Sequence, residues 1–325
     1  MKRFTGRFFP FWIALASSIV FCVALPPLHW KYAIFLAPSL WSVLAARRVD
    51  GSEPDAESDA KKRGFLRRLG RAFVGEYSQI WFASFLFWLV TVVWVSYPHP
   101  FTTVGWVVLS GYLAFYLPLY IGLCRATNRT LRAPIWLASP ICWVAIEWVR
   151  NRMLGGFSFA GLSHAIYDVP ILIQIAEPLG EYGVGAAIVL IGALLGEAFT
   201  RRFNADEKRG ARSSVRYVSL AAIVLLCVSI YGSSRLTYFD RLESDARDAG
   251  FPTLKIALLQ DSTQYRFPPP KDLNKEVSDK YRALAFRAAR EEGGYDLIVW
   301  PEGCFSGYFF DGDADFNALI NSFDS

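Results

Sequence analysis

Six stretches of this chain carry no Asp, Glu, Lys or Arg: Phe8–Trp30, Tyr32–Ala46, Tyr77–Cys124, Ala133–Ile146, Tyr182–Gly196 and Tyr217–Ser234. A bilayer core of roughly 30 Å takes about 20 apolar residues when crossed as a helix. The windows therefore read as membrane helices. Tyr77–Cys124 is long enough for two of them, with the break expected at Tyr97-Pro98-His99-Pro100, because proline lacks the N–H a helix needs and its ring clashes with the preceding turn. The pattern predicts a bundle of about seven spans over residues 1–234. A polar linker follows, over 235–252. The pattern then changes period. Leu254–Gln260 is a short apolar run that reads as a buried strand, and Gln264–Lys271 with its three prolines reads as a loop. Asp272–Glu292 places Leu273, Val277, Tyr281, Leu284 and Ala288 on one helical face, ended by Gly293-Gly294. Tyr295–Trp300 is a second buried strand. Strand, helix, strand predicts the start of an α/β domain with a mostly parallel sheet over 253–325.

Composition sharpens this picture. The chain is 53% hydrophobic but only 19% charged, against about 25% in a typical soluble domain. The shortfall lies in the windows above, which excludes an ordinary soluble enzyme. Pro26-Pro27-Leu28-His29-Trp30 lacks the small residues of a signal cleavage site, so the first segment is expected to stay as a span. The net charge of +5 comes from basic residues confined to loops, and does not suggest a nucleic-acid partner. Four cysteines, Cys22, Cys124, Cys142 and Cys227, lie in or beside the windows, and only Cys304 lies in the soluble part. Their spacing implies neither a disulfide nor a metal site.

Charge also orients the spans. Loops 1–7, 47–76, 125–132 and 201–216 hold 20 Lys and Arg, whereas the alternate set near Lys31, Tyr97–Thr103 and 147–181 holds 3. Positive residues favour the cytoplasmic side. The N-terminus is therefore expected inside and everything after Arg235 outside, in the periplasm of a Gram-negative inner membrane. The 47–76 loop, acidic first and then basic, reads as a solvated segment held at anionic lipid heads.

Two regions invite chemistry. Residues 150–180 are too apolar for a plain loop and too broken by glycine to span, which suits an interfacial or re-entrant arm or a loop folded back on the bundle. His164 within it is a candidate ligand or base, although a single histidine at an interface is more often a hydrogen-bonded structural group. The second strand ends in Pro301-Glu302-Gly303-Cys304. Chemistry gathers at the carboxyl ends of strands in open α/β sheets. A carboxylate fixed there by proline is a candidate general base, more so against an apolar wall that would raise its pKa. The plain alternative is a carboxylate that caps the next helix. Cys304 is a poor nucleophile for Glu302, because a thiol two residues away cannot easily face its base across a pocket.

The sequence resembles the apolipoprotein N-acyltransferase family, membrane-bound members of the nitrilase (carbon–nitrogen hydrolase) superfamily. Leu254–Gln260, Asp296-Leu297-Ile298-Val299-Trp300-Pro301-Glu302, and Pro170–Ala176 with Gly180-Glu181-Tyr182-Gly183-Val184 carry the resemblance. Trp-Pro-Glu marks the wider superfamily, and its place after seven spans narrows the match. The resemblance implies an αββα nitrilase-like domain and a Glu-Lys-Cys triad without cofactor or metal. Glu302 matches the general base, and the lysine and nucleophilic cysteine are expected beyond Ser325, so the chain looks like an N-terminal fragment that is inactive alone. It further implies transfer of an acyl chain from a membrane phospholipid to the α-amino group of the diacylglyceryl-cysteine of an apolipoprotein, through a cysteine thioester. Two departures stand out: Gln260-Asp261-Ser262 where Gln-x-Asn is usual, and Gly303-Cys304 after the glutamate. Two rivals remain. A membrane-tethered amidase for small amides would use the same triad. A transporter would need charges facing an intramembrane path, and the windows offer only Glu147 and Glu197 near their ends.

Overall fold

A computed structural model describes residues 6, 8–47, 73–204, 207–263, 270–290 and 294–302. The chain forms two compact units, one built chiefly on residues up to Arg241 and the other on Leu242–Ser325.

Each apolar window of the first unit lies on helix. The elements are α1 (Phe9–Ala24), α2 (Leu36–Ala46, entered through a 3₁₀ turn at Lys31–Phe35), α3 (Ser78–Thr91), α4 (Thr102–Leu113), α5 (Tyr116–Leu131), α6 (Ile135–Arg150), α7 (Ala176–Asn204) and α8 (Glu207–Asp248). The expected break falls where the prolines stand. A 3₁₀ turn at Val93–Ser96 ends the α3 segment, and α4 begins at Thr102. Helices α4 and α5 then run on as one apolar column, Thr102–Leu131, which is long and apolar enough to cross a membrane. So are Ala176–Phe203 and Arg209–Asp248, while Phe9–Ala24 and Lys31–Ala46 are shorter apolar helices. This is a membrane protein with a helical membrane region.

Local chemistry sets the turns. Arg132 closes α5 in the left-handed conformation, and Pro134, extended, starts α6 after a three-residue turn. Asn128 Nδ2 donates to Ala133 O across it (2.7 Å). So short a link makes α5 and α6 antiparallel neighbours. Helix α7 is threaded between α2 and α6 because it is smooth where it meets α2. A Cβ at Gly192 would stand 2.7 Å from Phe35 O and 2.8 Å from Pro38 Cβ, and Gly196 is pressed as tightly on Ser39 and Ser42. Small residues four apart let helix backbones approach where lipid removes any hydrophobic drive to pair.

The centre is aromatic. Trp41 stacks on Trp143 (4.8 Å, 22°), and Tyr120 stands edge-on to both. Trp41 Nε1 donates to Ser17 Oγ (3.1 Å). The rings bury large areas while the indole N–H finds an acceptor, the arrangement that buried tryptophan needs.

Contacts between loops alternate as antiparallel helices require. Arg47, Glu76 and Arg125 meet around the end of α2. His29 and Lys31, after α1, meet Asp168, and Trp94 meets Phe159. The polar stretch expected to begin a linker at Arg235 is instead helical: α8 continues to Asp248.

In the second unit, β1 (Ile256–Leu258) and β2 (Leu297–Val299) pair in parallel, Ile256 with Leu297 and Leu258 with Val299. Helix α9 (Leu273–Ala289) lies between them in sequence. The strand–helix–strand order is as expected. Both strands and the helix are shorter than the apolar runs that announce them. Part of the 264–271 loop, and everything after Glu302 including Cys304, lies outside the described residues.

Candidate functional site

The parallel pairing brings the ends of β1 and β2 together, with α9 beside them. A cleft of about 430 Å³ opens there, lined by Gln260, Asp261, Ser262, Thr263, Tyr281 and Glu302, with Leu259, Leu273, Val277 and Pro301 completing it. Glu302 thus stands at the carboxyl end of a strand and on a cleft, as its position after Trp300-Pro301 suggests. Its side chain is exposed, so the close apolar wall considered for it is not formed by the described residues.

The opposite rim is shaped by a local cap. Asp261 Oδ1 accepts from Thr263 N (2.5 Å), and the Thr263 hydroxyl binds the same carboxylate. These bonds hold the Asp261 carboxyl below the usual carboxylate range. Ser262 between them takes a left-handed backbone (φ 56°), the sharp bend such a turn needs. Lys280 Nζ donates to Thr263 Oγ1 (3.3 Å), tying the rim to α9. Tyr281, buried, stacks on Trp300 (5.7 Å) and braces the residue just before Pro301-Glu302. At the strand starts, Asp296 Oδ2 accepts from Lys255 N (2.7 Å).

The first unit carries a separate polar cluster where the 150–180 segment leaves α6. Glu147 and Arg150 are both buried, with Nη2 3.5 Å from Oε1. Gly185 and Gly161 flank the carboxylate so closely that a Cβ would stand 3.2 and 3.5 Å from its oxygens. His164 Nδ1 accepts from Gly161 N (3.3 Å), and its Nε2 lies 3.9 Å from Glu181 Oε2. Burial pushes the His164 pKa down. This histidine is engaged with the segment's own backbone. Farther along, Lys31 Nζ donates to Asp168 Oδ2 (2.5 Å), a bond that holds the Asp168 carboxyl low. Glu177 receives both Arg235 Nε (2.6 Å) and Nη2 (2.5 Å), with Tyr231 OH at 3.1 Å. Residues 157–180 of the segment are therefore folded on the bundle.

Residues 60–194 match the family described as apolipoprotein N-acyltransferase N-terminal domain. Over that stretch the chain belongs to the apolipoprotein N-acyltransferase family. It is 32% identical over 237 residues to the apolipoprotein N-acyltransferase of Rhodopirellula baltica, covering 69% of this chain and 40% of that protein. It is 29% identical over 315 residues to that of Geobacter metallireducens (92% and 52%), and 24% identical over 317 residues to that of Rhizobium leguminosarum bv. trifolii (93% and 54%). The chain spans about half the length of the curated relatives it matches. The matched domain contains the Glu147–Arg150 pair and the segment folded over it, and ends within α7.

Sequence reading missed two charged groups. Arg125, counted among loop residues, is buried on α5. Its Nη2 reaches Glu76 Oε1 (2.7 Å) and Leu44 O (2.6 Å). Arg150, placed at the start of an outer segment, is the buried last residue of α6. For Arg150 the signal was Glu147, three residues earlier on the same helix, whereas Arg125 offered only its place at a window's edge.

Proposed function

We propose that the intact protein transfers a fatty acyl chain from a membrane phospholipid to the α-amino group of the N-terminal diacylglyceryl-cysteine of lipoproteins. The observation that carries this is the conjunction of family membership with a Trp-Pro-Glu carboxylate set on a strand-end cleft. In this reading Glu302 is the general base. It takes the proton of a cysteine thiol, and the thiolate attacks the acyl ester carbonyl. A lysine and backbone N–H groups hold the oxyanion, and the lysophospholipid leaves with its oxygen protonated. The lipoprotein amine then attacks the thioester and loses a proton, and the thiolate is released to be reprotonated from Glu302. The lysine and the thiol of this triad are not assigned to any of the 325 residues. The second unit is accordingly read as nitrilase-like.

The same proposal gives the first unit about seven spans in a bacterial inner membrane, with the N-terminus in the cytoplasm and the Glu302 cleft on the periplasmic side. The alternation of loop contacts and the distribution of Lys and Arg support it. Both substrates are lipids held in the bilayer, and a helical membrane region anchors the protein at the surface where donor and acceptor lie. The partners are the phospholipid donor, the diacylglyceryl-modified acceptor and the bilayer itself.

The test is Glu302→Gln in the intact protein, reconstituted with radiolabelled phospholipid. The acyl-enzyme should fall at least about 100-fold, the scale of a lost general base, with melting temperature unchanged. Normal acyl loading would remove Glu302 from this role. An unmutated protein that hydrolyses small amides and releases no lysophospholipid would instead favour the amidase.

A further inference from the structure

The loop that leaves α6 is built to hold an exposed leucine rigidly. Phe157 N donates to Arg150 O (3.1 Å) and Gly156 N to Met153 O (3.0 Å), closing Arg150–Phe157 into a compact turn. Three successive residues, Leu154, Gly155 and Gly156, have positive φ (53°, 88° and 83°). Glycine adopts that backbone freely and leucine resists it. The base is fixed from two sides. Asn151 Nδ2 donates to Glu181 Oε1 and to Tyr182 OH (both 3.2 Å). The Arg152 guanidinium covers the Trp148 ring at 4.3 Å and donates to Tyr182 OH (3.3 Å). The side chain presented by this fixed base is not packed: Leu154 is 80% exposed, and its neighbour Met153 is 46% exposed.

An exposed apolar pair, its leucine held in strained backbone, beside an arginine is the composition of an interfacial lipid contact. Aliphatic groups enter the acyl boundary while the basic head meets lipid phosphate. We infer that the Arg152–Gly156 turn is a lipid-engaging hook, with Leu154 and Met153 seated in the outer leaflet and Arg152 at the phosphate level. The inference rests on the membrane reading of the bundle. It goes beyond that reading by assigning one turn a direct hold on phospholipid where the 150–180 segment begins, and so a place at which donor lipid meets the protein.

Spin labels decide it. In the intact protein, reconstituted in phosphatidylethanolamine–phosphatidylglycerol nanodiscs with the other cysteines replaced, a nitroxide is attached in turn at Leu154→Cys, at Met153→Cys, and at native Cys227. Cys227 is exposed near the middle of the α8 window and serves as the lipid control. Collision with oxygen should exceed collision with a water-soluble nickel complex at 153, 154 and 227, placing 153 and 154 about 5–10 Å inside the headgroup boundary. If nickel dominates at 153 and 154 but not at 227, the turn lies in water and the hook is overturned while the membrane reading stands. If neither reagent reaches 153 and 154, a protein surface covers the turn, which also overturns it. Nickel dominance at 227 would sink the membrane reading itself.

Discussion

Replacing Arg125 with methionine isolates what a buried charge costs this bundle. Arg125 and Glu76 have side-chain exposures of 6% and 9%, and their atoms lie 2.7 Å apart. The guanidinium also binds the carbonyls of Leu44 and Ala45, at the last turn of α2. In Arg125→Met, Glu76 keeps, among the described residues, only Arg47, 3.9 Å away. Removing one partner of a buried pair costs about 3–5 kcal/mol, because the other charge stays desolvated. The distant Arg47 puts the expectation at the lower end of that range. Adding Glu76→Gln removes the stranded charge and leaves mainly the uncapped α2 carbonyls, worth about 1–3 kcal/mol. The double variant should therefore be more stable than Arg125→Met alone, by about 1–2 kcal/mol, a coupling of the size a double-mutant cycle resolves. Denaturant unfolding of the detergent-solubilised protein measures it. If the double variant is as unstable as Arg125→Met, the stranded carboxylate is not the source of the cost and the reasoning fails.

Two further expectations follow from the packing. Gly192→Leu should destabilise by about 1–3 kcal/mol or more, since its side chain has no room against Phe35 and Pro38. Gly105→Leu, with nothing within 4 Å of its Cβ, should stay within about 0.5 kcal/mol, and equal melting of the two would contradict the close α2–α7 contact. For His164, burial places the folded pKa below the unfolded value of about 6.5. Its neutral form is thus favoured in the fold. Stability should be complete above about pH 6.5 and decline as pH falls through that value toward the lower folded pKa. His164→Gln should flatten the melting profile between pH 7.5 and 5.5, and an unchanged slope would assign the pH dependence elsewhere.

The helices were legible because a charge-free window and a proline break are one-dimensional signals. Tyr97–Pro100 stops a helix wherever the chain goes, and Leu254–Gln260 and Tyr295–Trp300 announce strands by their short apolar runs. Glu302 was legible for the same reason, as its place after Trp300-Pro301 fixes it at a strand end. What was hidden depends on partners far apart in sequence. Arg125 looks like a loop charge until Glu76, 49 residues earlier, is seen beside it. Residues 235–248 look like a linker because Asp240, Arg241, Glu243 and Asp245 end the apolar pattern. An exposed helix tolerates those charges, with pairs such as Glu243 and Arg247 four residues apart (2.7 Å). The strained turn at Leu154 follows from the fixed geometry of its base, which no local pattern of leucine and glycine reveals.

The central claim is that the unit carrying Glu302 faces the outside of the cell. Sided labelling tests it most directly. A single cysteine at Lys271, in the second unit, is compared with one at Arg212, between the α7 and α8 windows, in intact cells with a permeable outer membrane. A thiol reagent that cannot cross the inner membrane should label position 271 at once and position 212 only after lysis. The reverse pattern would put the Glu302 cleft in the cytoplasm and contradict the lipoprotein-acylating account.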